Sequence, residues 1–107
     1  MTDKIVVLCT CESEHEATRV AKHLLENHLA ACVNILPGAR SIFRWKDKIE
    51  EVAEYVLLIK SRRDLFAALS IELQKVHSYE TPEVIALPVV EGSERYLTWL
   101  DNELPSG

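Results

Sequence analysis

Leu29-Ala30-Ala31-Cys32-Val33-Asn34-Ile35-Leu36-Pro37-Gly38-Ala39-Arg40-Ser41-Ile42-Phe43-Arg44-Trp45 is the stretch on which the fold turns. Its first eight residues read as an extended segment. Pro37-Gly38 interrupts it, as a bulge or bend does. Extended character resumes at Ala39, and from there Ser41, Phe43 and Trp45 share one face. Lys46-Asp47-Lys48 reads as a turn, and Ile49 to Lys60 returns as a partner strand whose end, Tyr55-Val56-Leu57-Leu58-Ile59, is apolar on both faces. Each arm of this hairpin spans roughly 12–15 residues, or about 40–50 Å. A domain of ~100 residues has a radius of gyration of only about 13 Å. The tip is therefore expected to project beyond its own domain, leaving Phe43 and Trp45 poorly covered in a single copy. Exposed aromatics on a projecting ribbon call for a protein partner. The alternative is that Pro37-Gly38 splits the arm and Trp45 folds back onto its own core.

Working outward from the hairpin, Thr2 to Leu8 reads as a buried strand, with Ile5-Val6-Val7-Leu8 continuous. Ser13-Glu14-His15-Glu16 matches a capping box, Ser13 accepting from the Glu16 amide and the Glu16 carboxylate reaching back. Ala17, Val20, Ala21, Leu24, Leu25 and His28 then repeat with helical spacing, which predicts a helix from about 14 to about 27. Ser61 is placed to cap a second helix, Asp64 completing its box. Leu65, Leu69, Leu73 and Val76 form the inner stripe of that helix. Val84 to Val90 reads as a fourth strand, and Gly92-Ser93 starts a short C-terminal helix carrying Tyr96, Leu97 and Leu100 inward. The order β-α-β-β-α-β plus a terminal helix is an α+β, ferredoxin-like split βαβ, with both helices expected on one face of an antiparallel sheet.

The 107 residues fit one domain, 1–107, large enough to bury a core. The net charge of −5 disfavours nucleic acid, which needs surplus Lys and Arg. The N-terminal apolar run is too short for a signal peptide, and no stretch approaches ~20 apolar residues. We therefore expect no membrane span and a cytoplasmic protein with its three cysteines reduced. Catalytic templates are absent: there is no G-x-S-x-G, no H-E-x-x-H and, with three glycines, no phosphate cradle. The expectation is a non-enzymatic protein without an organic cofactor.

Two places carry candidate chemistry. In a strand, Cys9 and Cys11 point the same way, so both thiols can meet one soft ion, or can simply pack. His77-Ser78-Tyr79-Glu80-Thr81-Pro82-Glu83 gathers an imidazole, a phenol and two carboxylates between a helix end and a strand. At that helix end an imidazolium is also favoured by the dipole alone. Tyr79 can bury its ring and bond through its hydroxyl. Glu50, Glu51 and Glu54 read as a solvated acidic face. His15, His23 and His28 read as surface or boundary residues of the first helix.

Taken together the chain resembles the CutA (divalent-cation-tolerance) proteins. The likeness rests on Val7-Leu8-Cys9-Thr10, Leu29 through Ile35, Ser41 through Trp45, Glu50, Glu54, Lys60-Ser61, His77 through Glu83, Gly92 and Tyr96 through Leu100. It implies a PII-like homotrimer linked to tolerance of copper or another divalent cation. Metal ligation falls by resemblance on Cys9 and His77, with Trp45, Lys60, Tyr79, Glu80 and Glu83 around the cleft. An alternative is a PII-like signalling or scaffold trimer holding a small regulatory ligand between subunits. The chain departs from the family pattern at Asp47, where Gly is common, at Ser78, where Pro is common, and at Val76, where some relatives carry a second histidine. Cys11 is an additional thiol that can offset the missing imidazole.

Overall fold

The structure, a computed structural model, describes residues 2–106. β1 (Lys4–Cys11) leads to α1 (Glu14–Glu26), then to the long hairpin of β2 (Cys32–Trp45) and β3 (Lys48–Arg62). A single 3-10 turn, Arg63–Leu65, opens α2 (Phe66–Val76), and β4 (Ile85–Pro88) and α3 (Glu94–Asn102) close the chain. The sheet order is β2-β3-β1-β4 with every pair antiparallel. This is the expected ferredoxin-like α+β arrangement.

The alternation of β1 builds the layers. Ile5, Val7, Cys9 and Cys11 are buried on one face and meet Ala17, Val20 and Leu24 of α1 and Leu69 and Leu73 of α2. Leu57 and Ile59 pair opposite Cys9 and Val7 and complete this core. The opposite face carries Val6, Leu8, Val56 and Leu58, all half-buried. α3 covers only one end of it, where buried Arg62 reaches Asp101 at 3.0 Å and Lys4 reaches Asp101 at 3.2 Å. The rest of that face and the ribbon stay open: Leu36, Ile42, Phe43, Trp45, Ile49, Ile85 and Leu87 are exposed.

The hairpin projects as the strand lengths require, giving a molecule 44 Å long against 25 and 22 Å across. Pro37-Gly38 does make a bulge. Leu36 pairs with Val56 and Ala39 with Glu54, so two residues of β2 oppose Tyr55 alone. The extra residue shifts the alternation, which puts Ala39, Ser41, Phe43 and Trp45 on the same face as Cys32, Asn34 and Leu36. Trp45 stays on the ribbon at 41% exposure and does not fold back onto the core. The tip, Lys46-Asp47, has positive φ at both positions (50° and 66°), the two-residue turn that matches strand twist.

Several local expectations need correction. β3 runs through Ser61 to Arg62, so Ser61 caps no helix; its hydroxyl donates to the Leu29 carbonyl at 2.6 Å. α2 begins at Phe66 without a side-chain cap. Leu29, Ala30 and Ala31 precede β2 rather than opening it, because the Leu29 amide bonds the Leu24 carbonyl and closes the end of α1. β4 is shorter than expected and Glu83 lies before it. α3 starts after Gly92-Ser93 as expected, with the Ser93 hydroxyl as its cap; Leu100 is buried but Tyr96 is exposed and stacks on Trp99, ring centroids 5.8 Å apart.

Candidate functional site

β1 ends by presenting Cys9 and Cys11 toward the helices, since residues two apart share a face. α2 ends at Val76, where His77 turns extended (φ −85°, ψ 144°) while its amide still donates to the Leu73 carbonyl. Arg19 of α1 donates to the Val76 carbonyl at 2.7 Å and ties this helix end to α1. The His77 ring is thereby driven in against the end of β1. Nε2 lies 3.6 Å from the Cys11 sulfur and 2.7 Å from the Thr10 carbonyl oxygen. One donor atom from each of Cys9, Cys11 and His77 falls within 4.8 Å of the others, and all three residues are buried. The sequence-predicted pair Cys9 and His77 thus stands together, and Cys11 stands with it.

The hydrogen bonds fix the state of the ring. The Tyr79 amide donates to Nδ1 at 3.0 Å, so Nδ1 offers its lone pair. The Thr10 carbonyl can only accept, so Nε2 carries the proton. Glu16, the third residue of α1 and three positions after the Ser13 cap, turns its carboxylate to the same place. Oε2 accepts from the Ser78 amide at 2.6 Å and lies 3.8 Å from Nδ1. Burial alone would raise this carboxyl, but the hydrogen bonds from Ser78 outweigh it and hold it below the usual carboxylate range. Cys11 beside it, and then burial, push the Cys9 thiol well above its ordinary value.

Across β1 lies a second feature. Thr10 and Glu12, the ribbon face Ser41, Phe43, Trp45, Glu50, Val52 and Glu54, and the loop Ser78 to Glu83 enclose a cavity of about 860 Å³. Trp45, Tyr79, Glu80 and Glu83 meet here, while Lys60 lies elsewhere on the sheet, bonded to Asn34 and 3.8 Å from the Cys32 sulfur. Tyr79 donates to Glu54 at 2.6 Å and its ring lies 4.8 Å from that of His77. Burial and this carboxylate raise the Tyr79 phenol above its ordinary value. Glu54, read from the sequence as part of a solvated face, is buried; Glu50 and Glu51 are exposed. Glu16 was visible only as a capping residue, and its partner Ser78 lies 62 residues away.

The family model for the CutA1 divalent ion tolerance protein matches residues 5–103. This chain belongs to that family. It is 46% identical over 104 residues to the divalent-cation tolerance protein CutA of Pectobacterium atrosepticum, covering 97% of this chain and 94% of the relative. The structure of the Thermus thermophilus divalent cation tolerance protein superposes with a TM-score of 0.92 at 43% identity, covering 95% of this chain and 99% of the other. A CutA from Archaeoglobus fulgidus, described as periplasmic, superposes at 0.91 with 41% identity, covering 94% and 97%. The CutA family is thus shown over nearly the whole length. No helix among the described residues is long and apolar enough to cross a membrane.

Proposed function

We propose that this protein is a non-enzymatic homotrimer that takes up a divalent cation, copper first among them, with Cys9 and His77 as ligands and Cys11 beside them. The observation that carries this is the convergence of three donor atoms within 4.8 Å in a chain of a divalent ion tolerance family. Two sulfurs and an imidazole fit such a group: thiolate selects soft ions, imidazole suits copper and zinc, and the oxygen-rich sets of magnesium or calcium sites are absent from the cluster. Cys9 and Cys11 would supply negative charge on deprotonation, and His77 would fix the position of the ion against the end of β1. Titration of the purified protein with Cu(II) is expected to saturate near one ion per subunit. A Cys9→Ala, His77→Ala double variant that binds copper as tightly as the parent refutes the assignment.

Trimer formation is supported by the uncovered surface. Both sheet edges, β2 and β4, are free in one copy, and the open face and ribbon expose seven large apolar side chains. A ring of three copies would pair edges and cover the ribbon. We place the protein in the cytoplasm, where thiols stay reduced; the Archaeoglobus relative's description makes fractionation the check.

One observation favours a second reading. The cavity falls within the ~300–1,000 Å³ of small-molecule sites and joins three aromatic rings to several carboxylates. A small regulatory ligand bound there would make the protein a PII-like signalling or scaffold trimer. Native mass spectrometry showing a co-purifying organic ligand, retained in the Cys9→Ala, His77→Ala variant, would favour it.

A further inference from the structure

We infer that Glu16 is the positioning residue of the metal site, accepting a hydrogen bond from the His77 Nδ1–H when the ring turns its Nε2 lone pair to an ion between Cys9 and Cys11. The inference rests on the metal reading above and deepens it. Its starting point is a contradiction in the ring as it stands. Nε2 faces the two sulfurs but carries the proton, while the lone pair on Nδ1 is engaged by the Tyr79 amide. In this tautomer His77 has no lone pair to give on the sulfur side.

The structure holds the means to change that. Among the described residues, Glu16 Oε1 is a buried side-chain oxygen without a hydrogen-bond partner. A buried carboxylate with one oxygen unsatisfied keeps the capacity to accept a further hydrogen bond. The other oxygen, Oε2, bonds the Ser78 amide, lies 3.6 Å from the Arg19 guanidinium and 3.8 Å from Nδ1. A ring shift of about 1 Å closes that last gap to hydrogen-bond length. Ligating histidines characteristically donate their other N–H to a carboxylate or carbonyl, which fixes tautomer and orientation. Glu16 sits where that carboxylate must be.

The protons balance. Cys9 and Cys11 would hold the ion as thiolates, their two protons passing to solvent. The ring would release its Nε2 proton to solvent and take one up from solvent at Nδ1, staying neutral, so that its Nε2 lone pair is free for the ion and Nδ1–H donates to Glu16. The Thr10 carbonyl and the Tyr79 amide each give up their bond to the ring.

The test uses Zn(II), which is diamagnetic and suits the same donors. Nitrogen-15 spectra of the protein are expected to show His77 protonated on Nε2 without metal and on Nδ1 with one equivalent of zinc. Glu16→Gln retains an acceptor for the Ser78 amide and so the fold. It is expected to weaken zinc binding about 10–100-fold, whereas Glu26→Gln, an exposed carboxylate at the far end of α1, leaves it unchanged. Zinc-loaded protein that keeps the Nε2 proton, or Glu16→Gln with parental affinity, overturns the role of Glu16 and leaves the metal site standing. A parent protein that takes up neither zinc nor copper overturns both.

Discussion

At the scale of single residues, two side chains show how local conformation and distant contacts divide the work. α1 closes through His28, where φ is 55°. The His28 amide bonds the Leu25 carbonyl and the Leu29 amide bonds the Leu24 carbonyl, the double bond of a Schellman ending. Glycine belongs at that position, since a side chain with positive φ costs about 1–2 kcal/mol. His28→Gly is therefore expected to raise stability by about 1 kcal/mol in urea unfolding. Tyr79 makes the opposite case. Its hydroxyl satisfies Glu54, a carboxylate buried under the 78–83 loop. Tyr79→Phe leaves that group unpaired and is expected to cost about 1–3 kcal/mol, read as a lower melting temperature, with copper affinity unchanged. An equal loss of copper affinity would bring Tyr79 into the metal site itself. The candidate pair Cys9 and His77 was legible from resemblance, and the shared face of Cys9 and Cys11 from strand alternation. The contact of His77 with Cys11 and the role of Glu16 were not, because they join residues more than 60 positions apart through the packing of α2 against β1.

At the scale of elements, the ribbon was legible because its signals are local. Apolar arms, a Pro-Gly interruption and a short polar turn each act within a few residues. The bulge has a specific requirement: Gly38 has φ 86° and no atom within 4 Å of where a Cβ would stand. Substitution there strains the backbone without a clash. Gly38→Val is expected to cost at least about 1–2 kcal/mol, and Gly38→Asn clearly less, because Asn tolerates the left-handed region. Equal losses for the two would place the constraint in packing instead. The start of α2 misled the sequence reading for a related reason. Ser61-x-x-Asp64 has the spacing of a cap, yet the Ser61 hydroxyl is claimed by the Leu29 carbonyl, a tertiary contact that keeps β3 extended two residues further. The short β4 follows likewise from β1, which pairs with it over only four residues.

At the scale of the whole molecule, stability and assembly meet at opposite ends of the sheet. Asp101 ties α3 to Arg62 and Lys4; the hydrogen bond from Arg62, then that from Lys4, hold its carboxyl below its ordinary value. A carboxylate depressed in the folded state contributes stability that is complete above the unfolded value, near 4, and lost as pH falls through the folded one. The melting temperature is therefore expected to decline below about pH 4, and Asp101→Asn to flatten that decline. At the other end the exposed ribbon and free edges call for further copies, and sedimentation is expected to give three times the 12.2 kDa subunit mass. A stable single subunit would contradict the trimer while leaving the buried cluster intact, since Cys9, Cys11 and His77 all come from one chain. The central claim is that these side chains hold the ion, and the X-ray absorption spectrum of the copper-loaded protein tests it most directly. The account predicts sulfur together with imidazole nitrogen in the first coordination shell, the sulfur lost in a Cys9→Ala, Cys11→Ala variant; a shell of oxygen and nitrogen alone would contradict it.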